Sequence, residues 1–176
     1  QFNDGKVLAT ASVFHIEKSD VMEGSGYESM GSFNTGKNQV QGIELGLTGN
    51  ITDKLSGQIG LTLMKSKVLD SATPANIGKT LSNFADNTAS AQLKYHFNDK
   101  FELGGAAKYE SVRYAGLPDT AASFDATTGE YRQPVPEYWV FDTFANYRFN
   151  KNLDMRFNIN NLFNEDYYLA GYRSGS

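Results

Sequence analysis

From Val40 onward, apolar side chains occupy odd-numbered positions and charges occupy even ones, and this parity persists through six successive segments. The apolar sets are Ile43, Leu45, Leu47; Leu55, Ile59, Leu61, Leu63; Leu93, Tyr95, Phe97; Phe101, Leu103, Ala107, Tyr109; Trp139, Phe141, Tyr147, Phe149; and Leu153, Met155, Phe157, Ile159. Glu44, Lys94, Glu102, Lys108, Glu110, Asp142, Arg148, Asp154 and Arg156 take the opposite parity. A period of two sends alternate residues to opposite faces of a strand, so each segment reads as a β-strand with one apolar and one polar face. A one-residue slip would exchange the faces, which specifies the register strongly. An earlier segment, about Val7 to Lys18, has two plausible apolar faces, Val7/Ala9/Ala11/Val13 and Leu8/Phe14/Ile16, and its orientation stays open. It brings the expected strands to seven.

The connections alternate as regularly as the side chains. Short turns recur at Phe2 to Val7, Asn50 to Leu55, Phe97 to Phe101 and Phe149 to Leu153, each containing an Asn, at positions 3, 50, 98 and 150. Asn and Asp bond their own backbone and tolerate turn conformations, so each reads as a tight hairpin. Between them lie Ser19 to Lys37, Leu69 to Asp86 and Gly116 to Glu137, rich in Gly, Ser, Thr, Asn, Asp and Pro, which read as long loops. Strict alternation puts every short turn at one end of the sheet and every long loop at the other. Outer-membrane barrels have that asymmetry, with short periplasmic turns and long extracellular loops.

Composition agrees. Gly 17, Tyr 10 and Phe 12 against Pro 4 describe an aromatic, β-leaning chain. No run approaches the roughly 18 apolar residues of a membrane-spanning helix, and a mean hydropathy of −0.45 is compatible with a barrel, whose lumen-facing residues are polar. Ala89 to Phe97, Phe101 to Ser111 and Trp139 to Phe149 reach the roughly 9 to 11 residues that a tilted strand needs to cross a bilayer. Phe97, Phe101, Tyr147 and Phe149 cluster beside the short turns, and Tyr109 and Trp139 toward the long loops, as two interfacial girdles would. The competing reading is a soluble β-sandwich with ordinary core aromatics, which does not require its long loops at one end. Seven strands are odd in number and fewer than the about eight of the smallest single-chain bacterial barrels, so the chain is not expected to close by itself.

Asn160-Asn161-Leu162-Phe163-Asn164-Glu165-Asp166-Tyr167-Tyr168 resembles the segment near the C-terminus of TonB-dependent receptors where the penultimate barrel strand enters the last extracellular loop. Gln41 to Leu45, Pro136 to Asp142 and Ala170 to Gly175 are similar to further stretches of that family's C-terminal half. The resemblance spans nearly the whole chain, and the ending and spacing are most similar to the catecholate-siderophore branch. It implies an all-β, antiparallel transmembrane β-barrel fragment, residues 1–176 being about seven of 22 strands of the C-terminal part of the barrel domain. The plug domain and TonB box are not in this chain, and a final strand is expected to follow Ser176. The family resemblance also implies a receptor in the bacterial outer membrane that imports a ferric siderophore, with TonB engaged through the plug, no resident cofactor, and a monomeric barrel in lipid and lipopolysaccharide.

The chemistry that the residues themselves offer is narrow. A net charge of −4 supplies no basic field for nucleic acid. Cysteine is absent and His15 and His96 stand far apart, which removes thiolate chemistry and Cys-ligated zinc. No acid pair, nucleophile motif or phosphate loop points to an enzyme, and His96 reads as a wet lumen-wall or rim histidine. Where strands meet long loops stand Arg113, Tyr114, Tyr131, Arg132, Tyr172 and Arg173. Arg offers charge and a planar donor fork, and Tyr a flat amphipathic ring, which together suit an anionic aromatic chelate such as a ferric catecholate. The alternative for each is contact with lipopolysaccharide phosphates or packing within a loop. Glu44, Lys108, Asp142, Arg148 and Arg156 either hold a plug or line a water-filled interior, which leaves a passive porin as the second functional reading.

Overall fold

The computed structural model describes residues 7–22 and 34–171, and the turn expected at Asn3 lies outside them. Seven long strands form one antiparallel sheet: β1 (Val7–Met22), β2 (Asn34–Asn50), β3 (Leu55–Asp70), β4 (Asn87–His96), β5 (Phe101–Glu110), β10 (Tyr138–Asn150) and β11 (Leu153–Ile159). They lie in chain order, each paired with its sequence neighbours. The four remaining strands, β6 (Arg113–Tyr114), β7 (Phe124–Asp125), β8 (Glu130–Tyr131) and β9 (Pro134–Val135), make two small ribbons inside the connection from β5 to β10.

Register carries one parity across the sheet. Leu45 pairs Leu61, Leu61 pairs Ala89, Ala89 pairs Tyr109 and Tyr109 pairs Trp139, all odd. Directly opposed residues share a face, so the odd face is a continuous apolar surface. It is bare: among the described residues no second sheet covers it, Val13 is 82% and Trp139 50% exposed, and no large side chain is fully buried. A sandwich buries this face, whereas a barrel turns it to lipid, and an exposed apolar sheet of this size has no other solvent to face.

β1 takes its orientation from its partner. Val13 opposes Ile43, Ala11 opposes Leu45 and Ala9 opposes Leu47, so the odd set faces lipid, and Leu8, Phe14 and Ile16 face the lumen. Phe14 is accommodated there by Gly42 directly opposite, where a Cβ would overlap its ring. The same device recurs across β5 and β10, where Phe144 opposes Gly104 and lies flat in the space a side chain would need.

At the short-turn end the aromatic rings touch in series, Tyr95 to Phe97 (4.8 Å), Phe97 to Phe101 (5.2 Å), Phe101 to Tyr147 (6.5 Å) and Tyr147 to Phe149 (4.8 Å). Toward the long loops Tyr109 meets Trp139 at 4.7 Å and Trp139 stacks on Phe141 at 5.9 Å. From Phe101 to Tyr109 is about 27 Å along the strand at ~3.4 Å per residue, or about 21 Å of membrane at a tilt of about 40°. That is close to the apolar band such barrels present.

Two expectations need correction. Asn98 and Asn150 do accept hydrogen bonds from their own turns, from the Lys100 and Phe101 amides and from the Asn152 amide, but Asn50 ends β2 and the Thr52 hydroxyl accepts from Lys54 and Leu55 instead. Thr52 does the same work because its hydroxyl, like an Asx carbonyl, accepts from amides two and three residues on. The long connections are also more ordered than loops: β1 runs to Met22, β2 begins at Asn34 and β3 reaches Asp70, well past the apolar pattern. Above the membrane a paired strand has no lipid face, so alternation lapses while hydrogen bonding continues. Val21, Val68, Leu81, Ala85, Ala122 and Val135 are buried there, so the conventional core of this segment lies among the extracellular connections.

Placing an arginine at Leu61, between Leu45 and Ala89 on the lipid face, should cost the assembled barrel about 2 to 4 kcal/mol. Thr62→Arg, facing the lumen between Glu44 and Thr88, should cost little. Unfolding titrations in lipid check the difference, and equal effects would remove the membrane assignment.

Candidate functional site

The long connections fold inward over the even-numbered face. Asn38 donates to the Asp119 carbonyl at 2.6 Å and Lys18 pairs with the Asp119 carboxylate, bringing the β5 to β10 connection back to β1 and β2. Ser66 on β3 bonds Thr80 at 2.8 Å and accepts from the Leu81 amide at 3.0 Å, bringing down the β3 to β4 connection. Leu81 and Ala121 join the two connections as a β-bridge. The mouth of the wall is thus capped by its own loops.

Within this cap the structure brings Tyr114 and Tyr131 together, with ring centroids 4.7 Å apart. Tyr131 also meets Phe124 edge-on at 5.1 Å, and its hydroxyl accepts from the Thr80 amide at 3.0 Å. The Lys79 ammonium sits over the Phe124 ring at 3.3 Å, the geometry of a cation–π contact. Parity could not have found Phe124 and Lys79, because they lie in polar connections with no period; the β7–β8 ribbon brings Phe124 opposite Tyr131. Tyr114 and Tyr131 line one side of a cleft of about 510 Å³ that also reaches Lys65, Phe84, Tyr109 and Glu137.

The arginines divide. Arg132 is exposed and donates to Asp125 at 2.6 Å across the β7–β8 hairpin. That guanidinium holds the Asp125 carboxyl below its ordinary range, aided by the Thr127 and Thr128 amides. Arg113 is 4% exposed and does a structural job: its fork donates to the Leu169 carbonyl at 2.6 Å and the Tyr168 carbonyl at 2.5 Å, and it pairs with Glu110 at 2.8 Å. It stands 5.7 Å from the Tyr138 ring, which in turn packs on Tyr167. Arg113 therefore ties the final connection to the top of β5, a role invisible in a sequence that shows only an Arg-Tyr pair. Tyr172 and Arg173 lie outside the described residues.

The final connection starts with a turn closed by Asn161, in the left-handed region at φ 51°, whose amide group bonds both the carbonyl and the amide of Glu165. The Asn161 backbone amide donates to Asp142, and Phe163 turns outward onto Phe141 at 5.4 Å. Lower on the lumen face Glu102 accepts from Asn146 at 2.7 Å and pairs with His96 at 3.0 Å, and Arg156 lies over the Phe144 ring at 4.6 Å. Among the described residues no group of acids and histidines is placed to hold a metal ion.

Lipid-facing odd residues, a polar opposite face, girdles at both ends and long connections gathered at one end define a segment of an outer-membrane β-barrel. The chain matches the family described as TonB dependent receptor-like, beta-barrel, over residues 1–162, and it belongs to that family of the bacterial outer membrane. It is 28% identical over 186 residues to the probable TonB-dependent siderophore receptor PiuA of Acinetobacter baumannii, covering 98% of this chain and 23% of that protein. It is 27% identical over 176 residues to the catecholate siderophore receptor Fiu of Escherichia coli, covering 99% of this chain and 22% of that one. The crystal structure of PiuA matches with a TM-score of 0.76 at 27% identity, over 97% of this chain and 24% of that chain. The closed form of Fiu matches at 0.68 and 25%, over 97% and 23%. The chain thus spans under a quarter of the length of these relatives.

Removing the Arg113 fork should free residues 167–171. Arg113→Ala removes the two bonds to the Tyr168 and Leu169 carbonyls and one of the two cations on Glu110, which keeps Lys108 at 2.8 Å, a loss of roughly 1.5 to 3 kcal/mol, and Arg113→Lys should rescue only in part because an ammonium cannot bridge two carbonyls as a planar fork does. Faster amide exchange at residues 167–171 in both variants, slower in the lysine one, is the expected result. At the hairpin, the Arg132 pair contributes above the ordinary Asp value of 3.8 and is lost as pH falls through the lowered one. Arg132→Ala should bring the Asp125 titration back up toward 3.8, as read by carboxyl-carbon NMR.

Proposed function

We propose that this chain is the C-terminal part of the barrel of a receptor that imports a ferric siderophore, of catecholate type. The observation that carries the reading is the cluster of Tyr114, Tyr131 and Phe124 with Lys79, flanked by Arg132, in the extracellular cap. Flat rings stack on catecholate rings, and cations beside them meet the negative charge of a ferric tris-catecholate. The name borne by PiuA supports a siderophore as cargo, and that borne by Fiu a catecholate one. Connections fastened to the strand ends and to one another support a capturing receptor rather than an open porin.

The remaining partners follow from that reading. The polar lumen row of Gln58, Gln92, Glu102, Asn146 and Arg156 suits a plug held inside the barrel, through which TonB supplies energy. Lys65 and Lys67 face outward just above Leu63, at the level where lipopolysaccharide phosphates would meet the wall, and the barrel works as a monomer. The receptor carries its cargo without a resident cofactor and without chemical conversion. Arg132, Tyr114 and Tyr131 meet the ligand, joined by Tyr172 and Arg173 from the final connection, while Arg113 serves from beneath by holding that connection in place.

Replacing Arg132 and Arg173 together by Ala in the intact receptor should weaken binding of a ferric tris-catecholate by roughly 1.5 to 3 kcal/mol, the range for one hydrogen bond to a charged group, or at least about tenfold. Fluorescence titration measures the loss, with folding checked by heat-modifiable gel mobility. Unchanged affinity in the folded variant would move these arginines to lipopolysaccharide contact. Failure of the unaltered receptor to bind any ferric chelate would favour the porin.

A further inference from the structure

Both tyrosines of the cluster are held by the same distant connection. Thr80 donates its amide to the Tyr131 hydroxyl, and three residues on, Asn83 donates its amide to the Tyr114 carbonyl at 2.8 Å. The side chain of Asn83 then makes three more bonds. Its Nδ2 donates to the carbonyls of Gly116 at 2.8 Å and Gly171 at 3.0 Å, and its Oδ1 accepts from the Gly171 amide at 2.8 Å. The Gly116 amide closes the ring by donating to the Gly171 carbonyl at 3.0 Å.

Three segments far apart in sequence meet in this knot: the β3 to β4 connection, the β5 to β10 connection and the chain after β11. Each component is specialised for the contact. Asn83 sits at φ 55°, which Asn tolerates better than most residues. A Cβ at Gly116 would overlap Ser82, and one at Gly171 would crowd Ala115 and Val135, so the backbones approach as only glycine allows. Asn supplies both a double donor and an acceptor in one plane, and this geometry uses both. The knot is framed by Arg113, which grips residues 168 and 169, and by the Leu81 to Ala121 bridge.

We infer that Asn83 is a positioning residue that makes three of the extracellular connections a single cooperative cap, setting the Tyr114–Tyr131 pair without being part of it. Its link to ligand capture rests on the proposed function, while the cooperativity of the cap does not. The cap opens as one unit, because Tyr114, Gly116 and Gly171 share one residue, the first through its backbone amide and the other two through its side chain, so that displacing Asn83 loosens all three. Residues 168 to 171, bonded to Asn83 and Arg113, thereby take part in shaping it.

Hydrogen exchange of the intact ligand-free receptor tests this directly. Asn83→Gly keeps the backbone conformation open to the chain and deletes only the amide group. It should raise exchange by roughly tenfold or more, concurrently at residues 80–86, 114–117 and 168–171, while the strands stay protected and gel mobility stays that of a folded barrel. Thr128→Gly, at the hairpin tip away from the knot, should leave all three segments at their original rates. If Asn83→Gly changes only residues 80–86, or if the three segments already exchange at unrelated rates in the unaltered receptor, the single-cap inference is wrong. Ferric tris-catecholate titration of the same variant is a separate readout: weaker capture with every ring and cation retained supports positioning, and unchanged affinity beside concurrently faster exchange overturns the positioning role alone.

Discussion

Everything in this segment depends on the impossibility of leaving a backbone N–H or C=O unpaired in hydrocarbon. A strand crossing lipid must find all its partners in its two neighbours, which is why the seven long strands pair strictly in chain order, with shifts only toward the strand ends. Once pairing is fixed, side chains have two faces to choose from. The parity of the sequence is the record of that choice, odd to lipid and even to the lumen.

The same constraint explains where conventional packing appears. Inside the membrane the sheet is one residue thick and its apolar side chains face outward, so there is no core to bury. Above the membrane, water can satisfy loose backbone ends, and connections are free to fold over the wall. There Val68, Leu81, Ala122 and Val135 become buried, and polar side chains such as Asn38, Ser66 and Asn83 fasten backbone to backbone. Lipid-driven pairing holds the wall, and water-side packing holds the mouth.

Legibility in the sequence follows that division. Six of the seven long strands, both girdles and the alternation of short and long connections were readable because each is a local pattern enforced by a uniform solvent. β1 was not orientable, since Leu8, Phe14 and Ile16 face the lumen, and Phe14 is tolerated there because Gly42 leaves room on the partner strand. That is information about a strand some 28 residues away. The loop contacts were less readable. The structure brings Tyr114 and Tyr131 together and leaves Arg132 exposed, whereas Arg113, with the same chemistry, spends it on two backbone carbonyls. Lys79, Phe124 and Asn83 carry no periodic signal, because nothing repeats in a loop folded by unique contacts.

The knot at Asn83 also separates two kinds of surface in evolution. It pins three connections together, while the exposed Ala126 to Gly129 tip of the β7–β8 hairpin and the turn at Pro74 to Asn76 take no part in it. Substitutions or insertions at those tips need not disturb the contacts that Asn83 makes. The outer surface can therefore vary while the geometry beneath it is kept, so sequence drift in this segment should concentrate at those two tips and spare Asn83, Gly116 and Gly171.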